Sequence, residues 1–231
     1  MKQLMQIINV EQLKSCLLQR RTMRQRFRLP MSEEQAYDCL LAATMAEVEF
    51  RHRVFCENED IKSQLSKMAK WLTSNDSKFG ILLCGECGNG KSTVLKAFQQ
   101  LLNLLAIPAA DGSGNYGIQI TDAKHITFLG KTDYPAFLKI TKRDMLGIDD
   151  IGTEPVEVMD YGNIVTPVID LLTKRYDDQL FTIITTNLTP KQIREHYGDR
   201  IADRLNEMFE KIVFKNGSYR TVTVPNAGTS E

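Results

Sequence analysis

A chain of 231 residues, 42% hydrophobic and 25% charged, has the size and composition of one globular domain with an appendage. Its 29 basic and 29 acidic side chains cancel, so any attraction for nucleic acid has to come from local patches. No stretch approaches the about 18 apolar residues of a membrane span, and Met1 to Val10 lacks the apolar core of a secretory signal. A cytoplasmic location with no membrane partner is therefore expected.

The five cysteines, Cys16, Cys39, Cys56, Cys84 and Cys87, are odd in number, which fits free thiols in a reducing compartment. Cys84 and Cys87 have the spacing of half a zinc site, but no second Cys or His pair is spaced to complete it.

Residues 2–19 carry Leu4, Ile8, Leu13 and Leu17 at helical spacing. Arg20, Arg21, Arg24, Arg26 and Arg28 follow closely, with no acidic residue between Glu11 and Glu33. Such a run suits contact with phosphates or an acidic protein surface, or is simply a solvated helix face. After Pro30, Ser32 is the expected N-cap of a helix starting at Glu33-Glu34, with Tyr37, Leu40, Leu41, Thr44 and Val48 on one side. A third helix is expected around Ile61 to Leu72. Residues 1–53 thus read as a helical accessory region preceding the main unit.

The stretch that organises the rest is Gly85-Glu86-Cys87-Gly88-Asn89-Gly90-Lys91-Ser92-Thr93, a match to G-x-x-x-x-G-K-[ST]. Glycines let several backbone N–H groups converge on one polyphosphate. Lys91 supplies a point charge for the β and γ phosphates, and Ser92 a hydroxyl for Mg²⁺. The flanks suit it. Ile81 to Cys84 has the apolar run of a buried parallel strand, and Val94, Leu95, Phe98, Leu101, Leu102 and Leu105 predict a helix over Lys91 to Leu105.

A loop is expected over Ile107 to Gly117, a short strand over Ile118 to Thr121, and one or two short helices within His125 to Ile140. Met145-Leu146-Gly147-Ile148-Asp149-Asp150 then reads as a strand delivering two carboxylates: Asp149 for Mg²⁺ and Asp150 to polarise the attacking water. A helix is expected from Tyr161 to Tyr176 with Ile164, Val168, Leu171 and Leu172 inward. Phe181 to Thr186 reads as a β-branched strand that brings Asn187 beside Asp150. Asn187 then positions the water or senses the γ phosphate, unless it merely caps the next helix. Lys191 to Met208 reads as a helix broken near Gly198, with Arg200 and Arg204 on one face. Both suit insertion into a neighbouring subunit's site, or simple surface placement. A last strand is expected over Lys211 to Phe214, and a mobile tail over residues 225–231. Thr141-Lys142-Arg143-Asp144 mimics a guanine-reading motif, but it precedes the acidic strand instead of following it, so guanine specificity is not expected.

Together these residues make the chain resemble AAA+ ATPases of the DnaC/IstB type, the bacterial helicase loaders and transposition helpers. The marks are Gly85 to Thr93, Leu146 to Gly152, Lys174-Arg175-Tyr176, Thr182 to Asn187, Asp199 to Leu205 and Gly217 to Arg220. The resemblance implies an α/β P-loop NTPase core over residues 54–224, a parallel sheet flanked by helices, with no C-terminal lid domain. It implies ATP and Mg²⁺ as cofactors, held by Lys91 with Ser92 or Thr93. Asp149 and Asp150 become the acidic Walker pair, Asn187 the first sensor, and Arg204 the arginine finger acting in trans, with Arg200 next in line. It further implies single-stranded DNA and a replicative helicase, or a transposase, as partners, and weak turnover outside an assembly. The arginine run fits either contact, and Lys131, Lys139, Lys142 and Arg143 are secondary candidates for DNA contact. Gly147 departs from the family by replacing a bulky apolar residue, which predicts looser packing of the acidic strand. A nucleotide switch with little hydrolysis, or a small-molecule kinase, are the competing functions.

Overall fold

Five short apolar stretches of this chain are bounded by glycines, capping residues and polar turns, and in the computed structural model they line up as one parallel sheet. The structure describes residues 9–19, 26–75, 78–110, 112 and 114–219. In chain order the elements are α1 (Val10–Gln19), α2 (Glu33–Phe50), α3 (Glu59–Thr73), β1 (Gly80–Gly85), α4 (Lys91–Leu105), β2 (Gln119–Asp122), α5 (Ala123–Thr132) and α6 (Tyr134–Thr141). These are followed by β3 (Met145–Ile151), β4 (Val158–Asp160), β5 (Asn163–Val165), α7 (Pro167–Asp177), β6 (Phe181–Thr186), α8 (Pro190–Tyr197), α9 (Asp199–Met208) and β7 (Phe209–Phe214). The sheet order is β2-β3-β6-β1-β7, every pair parallel.

Side chains alternate across a strand, so each one feeds two cores. Ile81, Leu83, Ile183 and Ile212 face a cluster built with α2, α3 and α4. Leu82, Leu146, Ile148, Ile184 and Phe209 face a second cluster built with α5 to α9. The result is a three-layer α/β/α unit. Ser32 caps α2 as expected, in a reciprocal capping box with Gln35.

Phe27, Leu29, Ala36 and Leu40, all from the segment read as an accessory region, are buried in the same cluster as Val94, Leu95 and Phe98 of α4. Of the arginine run, Arg20, Arg21 and Arg24 lie outside the described residues. Arg26 sits over the Phe79 ring at 5.2 Å and Arg28 over the Trp71 ring at 4.8 Å, so both pack against the chain's own body.

The helix expected from Tyr161 begins instead at Pro167, and a two-stranded antiparallel hairpin, β4–β5, precedes it. Tyr161 and Gly162 turn the hairpin with φ of 45° and 85°, the backbone demanded by a tight two-residue turn. Ile164, expected inward, is exposed on this hairpin. Its helical spacing to Val168 is a coincidence that Pro167, a preferred first helical residue, overrides. Gly147 leaves no slack, because a Cβ there would lie 3.0 Å from Leu95 Cδ1 and 3.1 Å from Ile120 Cγ1. Those two neighbours fill the space that the sequence alone suggests is empty.

Arg175 is wholly buried and joins several elements. Nε donates to Thr182 Oγ1 at 2.8 Å, Nη1 to the carbonyls of Thr141 and Arg143 at 3.0 and 2.7 Å, and Nη2 to that of Phe181 at 2.6 Å. It thereby ties α7 to the start of β6 and to the turn that launches β3.

Because α2 shares a core with α4, Leu40→Ala should destabilise the whole unit by about 2–5 kcal/mol. Denaturant unfolding followed at Trp71 and by far-UV dichroism should show one transition shifted to lower denaturant, and an unshifted midpoint would separate α2 from the core.

Candidate functional site

The carboxyl ends of β1, β3 and β6 stop side by side, because Leu83 pairs with Thr185 and Ile148 with Ile184. Each strand delivers one part of the site there, as expected for the crevice of an open parallel sheet.

β1 supplies the loop. Gly85 takes φ 148°, and a Cβ there would lie 2.3 Å from the Phe214 carbonyl, so the backbone passes β7 where only glycine fits. Gly88 and Gly90 also have positive φ. Glu86 and Cys87 are exposed, whereas Asn89 is fully buried and braces the loop from inside. Its Nδ2 donates to the Phe214 carbonyl at 3.0 Å. Asn216 Nδ2 donates to the Asn89 carbonyl, Gln64 Nε2 to Asn216 Oδ1, and the Tyr219 amide to the Gly88 carbonyl, each at 3.0 Å. The loop is thus clasped by α3 and by the segment after β7.

Lys91 opens α4 with its side chain turned back under the loop. Nζ donates to the carbonyls of Gly85 and Glu86 at 2.7 Å each, to Asn89 Oδ1 at 3.0 Å and to Asn187 Oδ1 at 2.8 Å. Burial pushes its ammonium below the ordinary lysine range, opposed by nearby acids, Asp150 foremost.

β3 supplies the acids. Asp149 Oδ1 accepts from Ser92 Oγ at 2.7 Å and from Thr185 Oγ1 at 2.6 Å. Asp150 has φ 61°, a left-handed backbone that aspartate tolerates better than most side chains. Its amide donates to Thr185 Oγ1 at 2.8 Å. β6 then supplies Asn187, exposed at the strand end, whose Nδ2 donates to Asp150 Oδ1 at 3.2 Å.

Lys91, Ser92, Asp149, Asp150 and Asn187, identified separately along the chain, are therefore one hydrogen-bonded constellation; Thr93 lies one residue beyond Ser92, half-buried. Sequence reasoning missed Thr185, which holds both carboxylate residues. Its signal was there: Thr182, Thr185 and Thr186 are polar residues in a strand buried along its whole length, and such groups require partners.

Ser92 and Asp149 touch one another, so a hydroxyl and a carboxylate converge as a partial oxygen set for a hard cation that keeps waters and phosphate oxygens as its other ligands. No cluster of three or more His, Cys, Asp or Glu capable of holding a metal exists among the described residues. Cys84 and Cys87 are in no disulfide, and burial pushes the Cys84 thiol up, away from the thiolate a zinc site needs.

The remaining expected residues fall elsewhere. Arg204 lies on α9 with its guanidinium 4.9 Å from the centre of the Tyr176 ring and Nη2 3.8 Å from Asp177. Arg200, one turn earlier, is exposed. Lys131, Lys139, Lys142 and Arg143 are all exposed, and the last two precede β3 at the end of the sheet opposite the carboxylates. None of the four joins the site.

No family model and no curated protein matches this sequence. Solved structures do. The DnaC helicase loader aligns at 20% identity and a TM-score of 0.52, covering 70% of this chain and 93% of its own. DnaI aligns at 18% and 0.54, covering 83% and 95%. A candidate primosome component from Streptococcus pyogenes serotype M3 aligns at 16% and 0.54, covering 78% and 98%. The likeness to these three structures is one of fold.

Protonating Lys91 burdens the folded state, so that cost is present at neutral pH and fades as pH rises from its lowered value toward 10.5. The unfolding free energy of the wild type should therefore rise relative to that of Lys91→Met as pH climbs through that window. Parallel denaturation series would detect it, and a constant difference would contradict the burial of the ammonium.

Proposed function

We propose that this chain binds ATP with Mg²⁺, hydrolyses it at the Lys91–Asp150 constellation, and serves as a replication accessory that loads a helicase on single-stranded DNA. The observation that carries the catalytic half is the meeting of loop lysine, hydroxyl, two carboxylates and amide at the carboxyl ends of three adjacent strands. Support for the loader half is the likeness to the DnaC helicase loader and DnaI.

In this reading the loop amides from Glu86 to Gly90 and the Lys91 ammonium hold the β and γ phosphates. Ser92 and Asp149 would hold Mg²⁺, which when bound would neutralise charge on the phosphate oxygens. Asp150 accepts a proton from the water whose oxygen attacks the γ phosphorus, while the bond from that phosphorus to the β–γ bridging oxygen breaks. Asn187, already on both Lys91 and Asp150, orients that water or reads the γ phosphate.

Completion of the site falls to an arginine of a neighbouring subunit, carried on α9. Such a group is worth about 10³ to 10⁵ in turnover, roughly 4–7 kcal/mol of barrier. Arg204 must leave its aromatic seat to reach out, at about 0.5–1 kcal/mol, whereas Arg200 is already presented outward. The first cost is small against the gain, so Arg204 remains the assigned finger and Arg200 the alternative.

The hairpin favours a single strand as the nucleic-acid partner. Tyr161 is fully exposed at its tip, Met159 and Ile164 are exposed beside it, and the adjoining α5 exposes Phe128 with His125 stacked at 6.3 Å. Exposed rings of this kind stack on unpaired bases.

ATP turnover per subunit should climb with protein concentration and with single-stranded DNA. Lys91→Ala should lose nucleotide binding. Mixing Lys91→Ala with Arg204→Ala should restore part of the activity if Arg204 is the finger, and mixing with Arg200→Ala should do so if Arg200 is. A flat, DNA-indifferent rate would favour a nucleotide switch instead. Tyr161→Ala should weaken single-strand affinity by about 1–3 kcal/mol, roughly 5- to 150-fold, with ATP affinity retained; unaltered fluorescence-anisotropy titrations would remove the hairpin from the contact.

A further inference from the structure

Glu154 lies on the segment leaving the acidic strand and is only 3% exposed. Oε2 accepts the Gly152 amide at 2.8 Å, and Oε1 accepts the Tyr197 hydroxyl in a short hydrogen bond. Tyr197 is the last residue of α8 and is itself 5% exposed. Burial, reinforced by the charge of Glu154, pushes its phenol far above the ordinary tyrosine range, so it stays the donor. Glu154 has no ion-pair partner among the described residues. A carboxylate buried without a cation is costly, and no step of ATP hydrolysis uses this one.

Its position accounts for it. The turn it grips begins at Asp150, φ 61°, and passes through Gly152, φ 92°. A Cβ on Gly152 would lie 2.4 Å from Leu188 Cδ1, so this turn is pressed against the residue following Asn187. Thr186 Oγ1 donates to the Ile151 carbonyl at 2.8 Å and accepts the Leu188 amide at 3.1 Å, which closes the same seam from the strand side. Beyond Tyr197 the chain turns at Gly198 into α9 with Arg200 and Arg204.

We propose that Glu154 and Tyr197 form a positioning latch that fixes the aim of Asp150 and ties its turn to the end of α8, where the chain passes through Gly198 into α9 with Arg200 and Arg204. Neither residue touches substrate. The latch rests on the reading of Asp150 as the proton acceptor.

The test compares Glu154→Ala, Glu154→Gln and Tyr197→Phe with the wild type under the conditions of highest turnover, each checked for folding by thermal denaturation. Hydrogen exchange of residues 150–154 is followed in the same samples. Glu154→Ala and Tyr197→Phe should lower kcat at least ~10-fold, leave KM for ATP within about twofold, and speed exchange at Gly152. Glu154→Gln keeps an acceptor for Gly152 and a second polar group for Tyr197, so it should retain most of kcat and the protection of Gly152. Folded Glu154→Ala and Tyr197→Phe proteins with wild-type kcat, or with unaltered Gly152 exchange, would overturn the latch. Asp150→Asn separates the two readings: if it turns over ATP like the wild type, the assignment of the proton acceptor fails and the latch fails with it. If only Asp150→Asn is inactive, the latch alone fails.

Discussion

The site depends on three parallel strands ending at one level. If β3 slipped by a single residue against β6, every side chain on it would move to the opposite face, and Asp149 would lose both Ser92 and Thr185. The register is held from both ends. Arg175 fastens the starts of β3 and β6 through backbone carbonyls, and Thr185 fastens their finish through the two aspartates. Between them lie apolar residues that specify which face is in but not how far along. Buried polar groups supply the missing coordinate, because each hydrogen bond exists at one offset only and is costly to leave unmade.

This division of labour explains what could be read from the chain itself. The phosphate loop, its helix and the acidic strand were legible because the motif residues demand particular backbones and the apolar periods on either side are long. The α4 bounds, the Ser32 cap and the break at Gly198 follow from local chemistry of that kind. The β4–β5 hairpin was not legible, because Ile164 falls by chance into the helical spacing of Val168 and Leu171, and that spacing outweighed the helix-start signal at Pro167. Asn216, Glu154 and Tyr197 were invisible for another reason. Their roles are set by partners distant in sequence, such as Asn89 with Asn216 or Glu154 with Tyr197, which no local period encodes.

The packing of α2 against α4 changes what the first third of the chain can do. Residues 27–50 cannot swing as an independent arm while Phe27, Leu29 and Leu40 sit in the core beside Leu95 and Phe98. Anything docking on α2 or α3 presses on the helix that begins with Lys91, and Gln64 of α3 is hydrogen-bonded into the clasp of the phosphate loop through Asn216. A client bound there and a nucleotide bound at the loop would share one rigid body.

The strand order carries a consequence for how the protein is made. β1 lies between β6 and β7, so the strand that bears the phosphate loop emerges from the ribosome long before either of its neighbours. Until Phe209 to Phe214 has been synthesised, Gly85 has no Phe214 carbonyl to pass and Asn89 no acceptor for its amide. Domains are built from the N-terminus at about 5–20 residues per second, so the nascent chain holds an unpaired apolar strand for several seconds. Pairings this distant are also the slow ones to form. The architecture that gathers the site at the carboxyl ends of the central strands thus delays its assembly to the last strand, and makes the exposed edges of β1 the place where a nascent-chain chaperone would be most needed.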